Sequence, residues 1–97
     1  MENEDVILAS EFCRHHSIEL SFITALRENK LIEIVLVDDQ MFVPASQLTR
    51  LEKIVRLHFE LDINLEGIET IIHLLDRMEL MQNDIIRLTN RLKAYEG

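Results

Sequence analysis

Between Gly67 and the final Gly97 the chain contains neither proline nor glycine, and its apolar residues recur alternately three and four positions apart. Ile71, Leu74, Met78, Met81, Ile85, Leu88, Leu92 and Tyr95 fall on that spacing, which is the seam of a coiled coil. The segment therefore reads as one helix starting near Asn64, a good capping residue, and running far beyond the average globular length of about 11–12 residues. Ile71 and Leu74 are expected to pack against helices of the same chain. Beyond Met78 the rest of the chain is too small to cover the stripe. An isolated helix gains little stability alone and an exposed apolar stripe invites association, so the seam Met78, Met81, Ile85, Leu88, Leu92 and Tyr95 predicts a homodimer. A partner protein is the other candidate occupant.

The preceding residues read as a small, mainly helical domain. After a short apolar stretch from Val6 to Leu8, Ser10 is placed to cap a brief helix over 11–16 that buries Phe12 and Cys13. A turn through Ser17 leads to a second helix over 19–29, which sets Leu20, Ile23 and Leu26 on one face. Asn29 is its expected left-handed stop before Leu31 and Ile32. Two short helices joined by a tight turn form a helix-turn-helix pattern. Residues 33–37 are largely β-branched and apolar, Asp38-Asp39-Gln40 is polar, and Met41-Phe42-Val43 precedes the lone Pro44, which together predict a hairpin or wing. From Ser46 a helix is expected to about Leu61, with Leu48, Leu51, Ile54, Val55 and Leu61 as its buried stripe, and Asp62-Ile63-Asn64 breaks it.

A net charge of −8 over 97 residues opposes binding to polyanions unless the few basic side chains cluster. They do not cluster in the first half: residues 1–44 hold nine acidic side chains against Arg14, Arg27 and Lys30, a net −6. The single cysteine excludes an intramolecular disulfide, and the acidic start of the chain resembles neither a signal peptide nor a membrane span, so a cytoplasmic location is expected. Cys13, His15 and His16 are close in sequence but diverge around one short helix, while His58 and His73 are isolated, so no metal is expected. His58 should be half-buried beside Val55 and Leu61. No glycine-rich phosphate loop and no nucleophile motif occurs, which predicts neither enzyme activity nor a cofactor. Met41, Met78 and Met81 are assigned to packing.

The order helix, turn, helix, wing, helix, long helix resembles the MerR superfamily. The string Leu61-Asp62-Ile63-Asn64-Leu65-Glu66-Gly67-Ile68 is similar to the leucine, glycine, phenylalanine, serine, leucine, glutamate, glutamate, isoleucine link between that superfamily's third and fourth helices. Within the superfamily, Glu11-Phe12-Cys13, Val55-Arg56-Leu57, Glu60-Leu61 and Gly67-Ile68 resemble the chaperone-modulator CbpM family, and the resemblance spans nearly the whole chain. It implies a mainly α, MerR-like winged helix-turn-helix over residues 1–76, with a small β-hairpin wing, followed by a long C-terminal dimerising helix over 77–97. It also implies a protein that binds the J-domain of a DnaJ-like co-chaperone of the CbpA kind and inhibits it. Charge complementarity to a basic J-domain helix is compatible with that implication.

A MerR-type DNA-binding regulator without an effector domain is the rival reading, since a helix-turn-helix most often reads DNA. The superfamily's recognition helix usually carries threonine, leucine, arginine, tyrosine, tyrosine where this chain has Phe22-Ile23-Thr24-Ala25-Leu26. The arginine and tyrosines that contact phosphates and base edges are absent, and the wing tip carries two carboxylates that would face phosphates. Protein binding is therefore the expected use of the scaffold, with Phe22, Arg27, Asp38, Asp39, Gln40, Arg56 and Glu60 as candidate contacts. A third reading is a coactivator or antagonist that pairs with a full-length regulator through its coiled coil.

Overall fold

A computed structural model describes residues 5–96, in the order β1 (Val6–Leu8), α1 (Ala9–His16), α2 (Leu20–Glu28), β2 (Val35–Val37), β3 (Gln40–Pro44), a short 3-10 turn (Ala45–Gln47), α3 (Leu48–Phe59) and α4 (Leu65–Glu96). This is the expected mainly α winged helix-turn-helix with a long last helix. The chain divides after Leu65 into two compact units, the first holding everything up to α4 and the second the helix itself. The division expected between 76 and 77 falls within α4.

In the first unit a three-stranded antiparallel sheet, order β1-β3-β2, lies beside the helices. The hairpin pairs Val35 with Phe42, Leu36 with Met41 and Val37 with Gln40, leaving a two-residue loop, Asp38-Asp39. Both loop residues have positive φ, 52° and 65°, as a type I′ turn requires to match the twist of its strands. Aspartate tolerates that region better than most residues. The apolar stretch at the start of the described chain is a strand that pairs Val6 with Pro44 and Leu8 with Phe42, and the Ala45 N–H donates to Asp5 O at 2.8 Å. Pro44 sits at the end of the central strand β3, beyond the last residue paired with β2, so no β2 ladder bond is asked of its missing N–H.

The helix ends differ from expectation in four places, one of them the start of α3, where Ser46 lies inside the 3-10 turn and Gln47 holds the capping position. Ser10 lies inside α1, whose first residue follows β1 directly, with Leu8 in the extended capping position. Lys30, at φ 60°, is the left-handed residue after α2, whereas Asn29 stays at φ −89°. The Lys30 N–H donates to Arg27 O and the Leu31 N–H to Leu26 O, the two reversed bonds of a Schellman closure. Ser17 closes α1 in the same way, with Ile18 N–H to Cys13 O at 3.0 Å. Finally, α3 ends at Phe59 and Leu61 is 60% exposed, because the left-handed Asp62, φ 55°, turns the chain before the apolar stripe can continue.

The core of the first unit is formed by Ala9, Phe12 and Cys13 of α1, Ile23 and Leu26 of α2, Leu31 and Ile32 after it, Val43 of β3, and Leu51 and Ile54 of α3. Phe12 and Cys13 are buried as expected. Leu20 is exposed, while Leu48 and Val55 are only partly covered. The segment leaving α2 is fastened to the start of α3 by side chains: Arg50 Nε donates to Leu31 O at 2.7 Å, and Gln47 Oε1 accepts from the Glu33 N–H at 3.0 Å.

In α4 the buried residues are Ile68 and Ile72, four apart, and Ile71 is partly covered. Leu74, expected to be packed within the chain, is exposed. The covered stripe follows the 68–72 phase, about 100° per residue around the helix from the neighbouring seam positions. Every seam residue from Met78 to Tyr95 is exposed. No helix among the described residues is long and apolar enough to cross a membrane.

Candidate partner-docking surface

Three side chains from two elements meet at one end of the α2–α3 pair. Phe22, in the first turn of α2, lies with its ring centroid 4.8 Å from that of His58 and 5.3 Å from that of Phe59, while His58 and Phe59 stand edge-to-face at 4.7 Å. Edge-to-face and tilted contacts at these separations are the favoured aromatic geometries. The His58 Nδ1–H donates to Ile63 O at 2.9 Å, which fixes the ring and leaves Nε2 as the acceptor nitrogen in neutral imidazole. That bond ties the last turn of α3 to the Asp62-Ile63-Asn64 bend. His58 is half-buried, as expected, although its neighbours are aromatic rings.

The candidate contact residues separate into groups. Phe22 is half-buried in the ring cluster, so only part of its ring is free. Arg56 and Glu60 are exposed at the same end of α3, where they line a groove of about 330 Å³ with His16, Glu52 and Val55. A second groove of similar size runs on between β1, α1 and α3, sharing His16 and Glu52 and adding Glu11, Arg14 and His15 to its polar wall. Asp38, Asp39 and Gln40 form the exposed wing tip; Asp39 and Gln40 also edge a shallow depression of about 170 Å³ with Ser10 and Leu20. Arg27 is exposed in the last turn of α2, at the opposite end of that helix from Phe22.

Two apolar features went unread in the sequence. Phe59 is 50% exposed, and the wing strand Val35-Leu36-Val37 is exposed at all three positions. The second was visible in principle: residues 34–37 are apolar without alternation, and a hairpin edge cannot bury both faces. A wing that tracks DNA needs cations there, and this one presents valine, leucine and carboxylate. In the recognition helix, Thr24 turns its hydroxyl onto its own backbone, donating to Leu20 O at 3.3 Å. Burial raises the Cys13 thiol above its ordinary pKa, consistent with a packed, unreactive side chain. Among the described residues no group of three or more His, Cys, Asp or Glu is placed to hold a metal ion.

The chain matches the MerR HTH family of regulatory proteins over residues 7–90, and it belongs to that family. No curated protein matches it significantly. The match spans the helix-turn-helix, the wing, α3 and most of α4, so the resemblance read from the 61–68 link extends across the architecture.

Proposed function

We propose that this MerR-family chain is a CbpM-like chaperone modulator, which binds the J-domain of a DnaJ-family co-chaperone and blocks its stimulation of Hsp70 by occluding that surface. It acts without a cofactor, in the cytoplasm, as a homodimer joined through Met78, Met81, Ile85, Leu88, Leu92 and Tyr95. The observation that carries the reading is the inverted chemistry of the wing and recognition helix. Two exposed carboxylates occupy the tip, an uncharged apolar strand supports it, and Thr24 is spent on its own helix. A surface of that kind repels phosphates and suits a cationic protein.

The test is calorimetric titration of the protein with an isolated J-domain, together with the Hsp70 ATPase rate in the presence of the co-chaperone. Binding with loss of the co-chaperone's stimulation is expected; absence of binding at low salt refutes the reading. Family membership favours a second reading, sequence-specific DNA binding. Retardation of promoter fragments at about 0.1 M salt, where weak phosphate contacts are already screened, would establish that reading in its place.

A further inference from the structure

The ring cluster at the α2–α3 end has the composition of an anchor site. Phe59 is 50% exposed, Phe22 beside it offers the uncovered part of its ring, and Leu61, two residues on from Phe59, is 60% exposed. Large apolar side chains exposed together mark contact surfaces more often than isolated ones do. The cluster is also held in place: His58 is bonded to Ile63 O, and Phe59 packs on both His58 and Phe22. Little side-chain entropy remains to be lost when a partner covers it, which is the property of binding hot spots.

The charges around the cluster select the occupant. Glu19 precedes Phe22, its carbonyl accepting the Phe22 N–H at 3.0 Å, while Glu60 and Asp62 flank Leu61; all three side chains are exposed. Arg56 lines the adjoining groove with Glu52 and Glu60, so the neighbourhood stays net negative. The positive start of α2 and the negative end of α3 meet here and offset one another, which leaves the carboxylates to set the sign. Nucleic acid and anionic membrane are repelled by such a rim. A second copy would bring the same carboxylates against their equivalents in a two-fold contact. An extended peptide needs a free sheet edge, and this site is built from helix ends.

We infer that the Phe22–Phe59–Leu61 cluster is the anchor for a basic amphipathic helix of a partner protein, whose apolar stripe covers the rings while flanking lysines or arginines face Glu19, Glu60 and Asp62. The inference rests on the protein-binding reading above and locates its contact. It is tested with two probes titrated into the isotopically labelled full chain: a synthetic amphipathic helix with leucines at i, i+4 and i+7 flanked by lysines, and an isolated J-domain. Both are read by amide shifts and by affinity.

The peptide is expected to shift the amides of residues 19–22 and 57–63. The double variant F59A/L61S, altered only at exposed positions, should weaken it by at least about tenfold, a loss of about 1.4 kcal/mol. The more conservative Leu61→Ser alone should give a smaller loss in the same direction, with an unchanged thermal midpoint confirming that the fold is kept. Peptide shifts located elsewhere, or equal affinity for wild type and F59A/L61S, overturn the anchor. If the J-domain binds and F59A/L61S binds it equally well, the anchor fails and the J-domain reading stands. If the peptide behaves as expected and the J-domain does not bind, the anchor stands and the J-domain reading fails.

Discussion

With the proposed seam joining two copies, replacing Ile85 and Leu88 with glutamate should convert that homodimer to a monomer. In the single chain Met78, Met81, Ile85, Leu88 and Leu92 each expose 54–63% of their surface. Burying a leucine or isoleucine completely stabilises by about 1.5–3 kcal/mol, so covering the remaining half contributes about 0.8–1.5 kcal/mol for each. The I85E/L88E variant removes four such contributions from a two-fold assembly, about 3–6 kcal/mol. Each carboxylate would also enter an apolar seam unpaired, which adds to the loss. At about 1.4 kcal/mol per tenfold, the dimer dissociation constant rises by at least about a hundredfold. Light scattering coupled to size-exclusion chromatography at about 10 μM resolves the two masses. Far-UV circular dichroism should show fraying of α4 in the variant, because a helix without a partner is marginal. A wild type that runs as a monomer, or a variant of unchanged mass, refutes the seam.

Other substitutions probe the first unit. Leu51→Ala opens a cavity at a position with no solvent exposure and should cost about 2–5 kcal/mol, lowering the thermal midpoint by roughly 10 °C or more without altering the wing's hydrogen-bond pattern. Lys30→Gly relieves a left-handed lysine at the close of α2 and should stabilise by about 0.5–1 kcal/mol in urea titration, while Asn29→Gly, at a residue already in the allowed region, should destabilise. The Cys13 thiol, raised by burial, should alkylate far more slowly at pH 8 than a free thiol. Because its folded pKa lies above the unfolded value, its contribution is complete below the ordinary thiol value of about 8.5 and is lost as pH rises toward the folded one. A Cys13→Ala variant should lose that alkaline decline, seen as a flatter midpoint between about pH 8 and 10.

Elements with a local signature were legible, and elements made by distant partners were not. The hairpin could be read because Asp38-Asp39 lies between two apolar runs, and α4 because its spacing persists over its full length. The strand nature of Val6–Leu8 depends on pairing with residues 42–44, which nothing within three residues can announce. Ser10 and Asn29 satisfy capping preferences that hold when a helix end is free; here α1 starts directly from a paired strand and α2 closes through Lys30. Leu61 kept the helical period of α3 but lies past its end, so the period counted a residue that the Asp62 turn had already released. Leu74 failed through phase: the covered stripe of α4 follows Ile68 and Ile72, one position away from the seam. Of the candidate site, the acidic wing tip, Arg27, Arg56 and Glu60 are exposed, as surface contacts must be, and Phe22 is half-buried among the rings, whereas Phe59 and Leu61 needed the fold to place them.

The wing tip raises a question that its geometry allows to be separated from its charge. Asp38 and Asp39 both occupy the left-handed region of a type I′ turn, and aspartate is tolerated there for conformational reasons alone. Asparagine followed by glycine serves the same turn better and carries no charge, so the variant D38N/D39G keeps the hairpin and removes only the electrostatics. Its stability should rise by about 0.5–1 kcal/mol, since glycine adopts positive φ without a steric penalty. If the carboxylates steer a cationic partner toward an anchor elsewhere, the same variant should slow association severalfold at low salt and leave dissociation unchanged. The difference should vanish as ionic strength approaches 1 M, where the screening length is about 3 Å. Stopped-flow association with the J-domain, run across a salt series, distinguishes the cases. A faster dissociation would put the tip inside the contact, and identical rates at every salt concentration would leave the two aspartates as turn formers and nothing more.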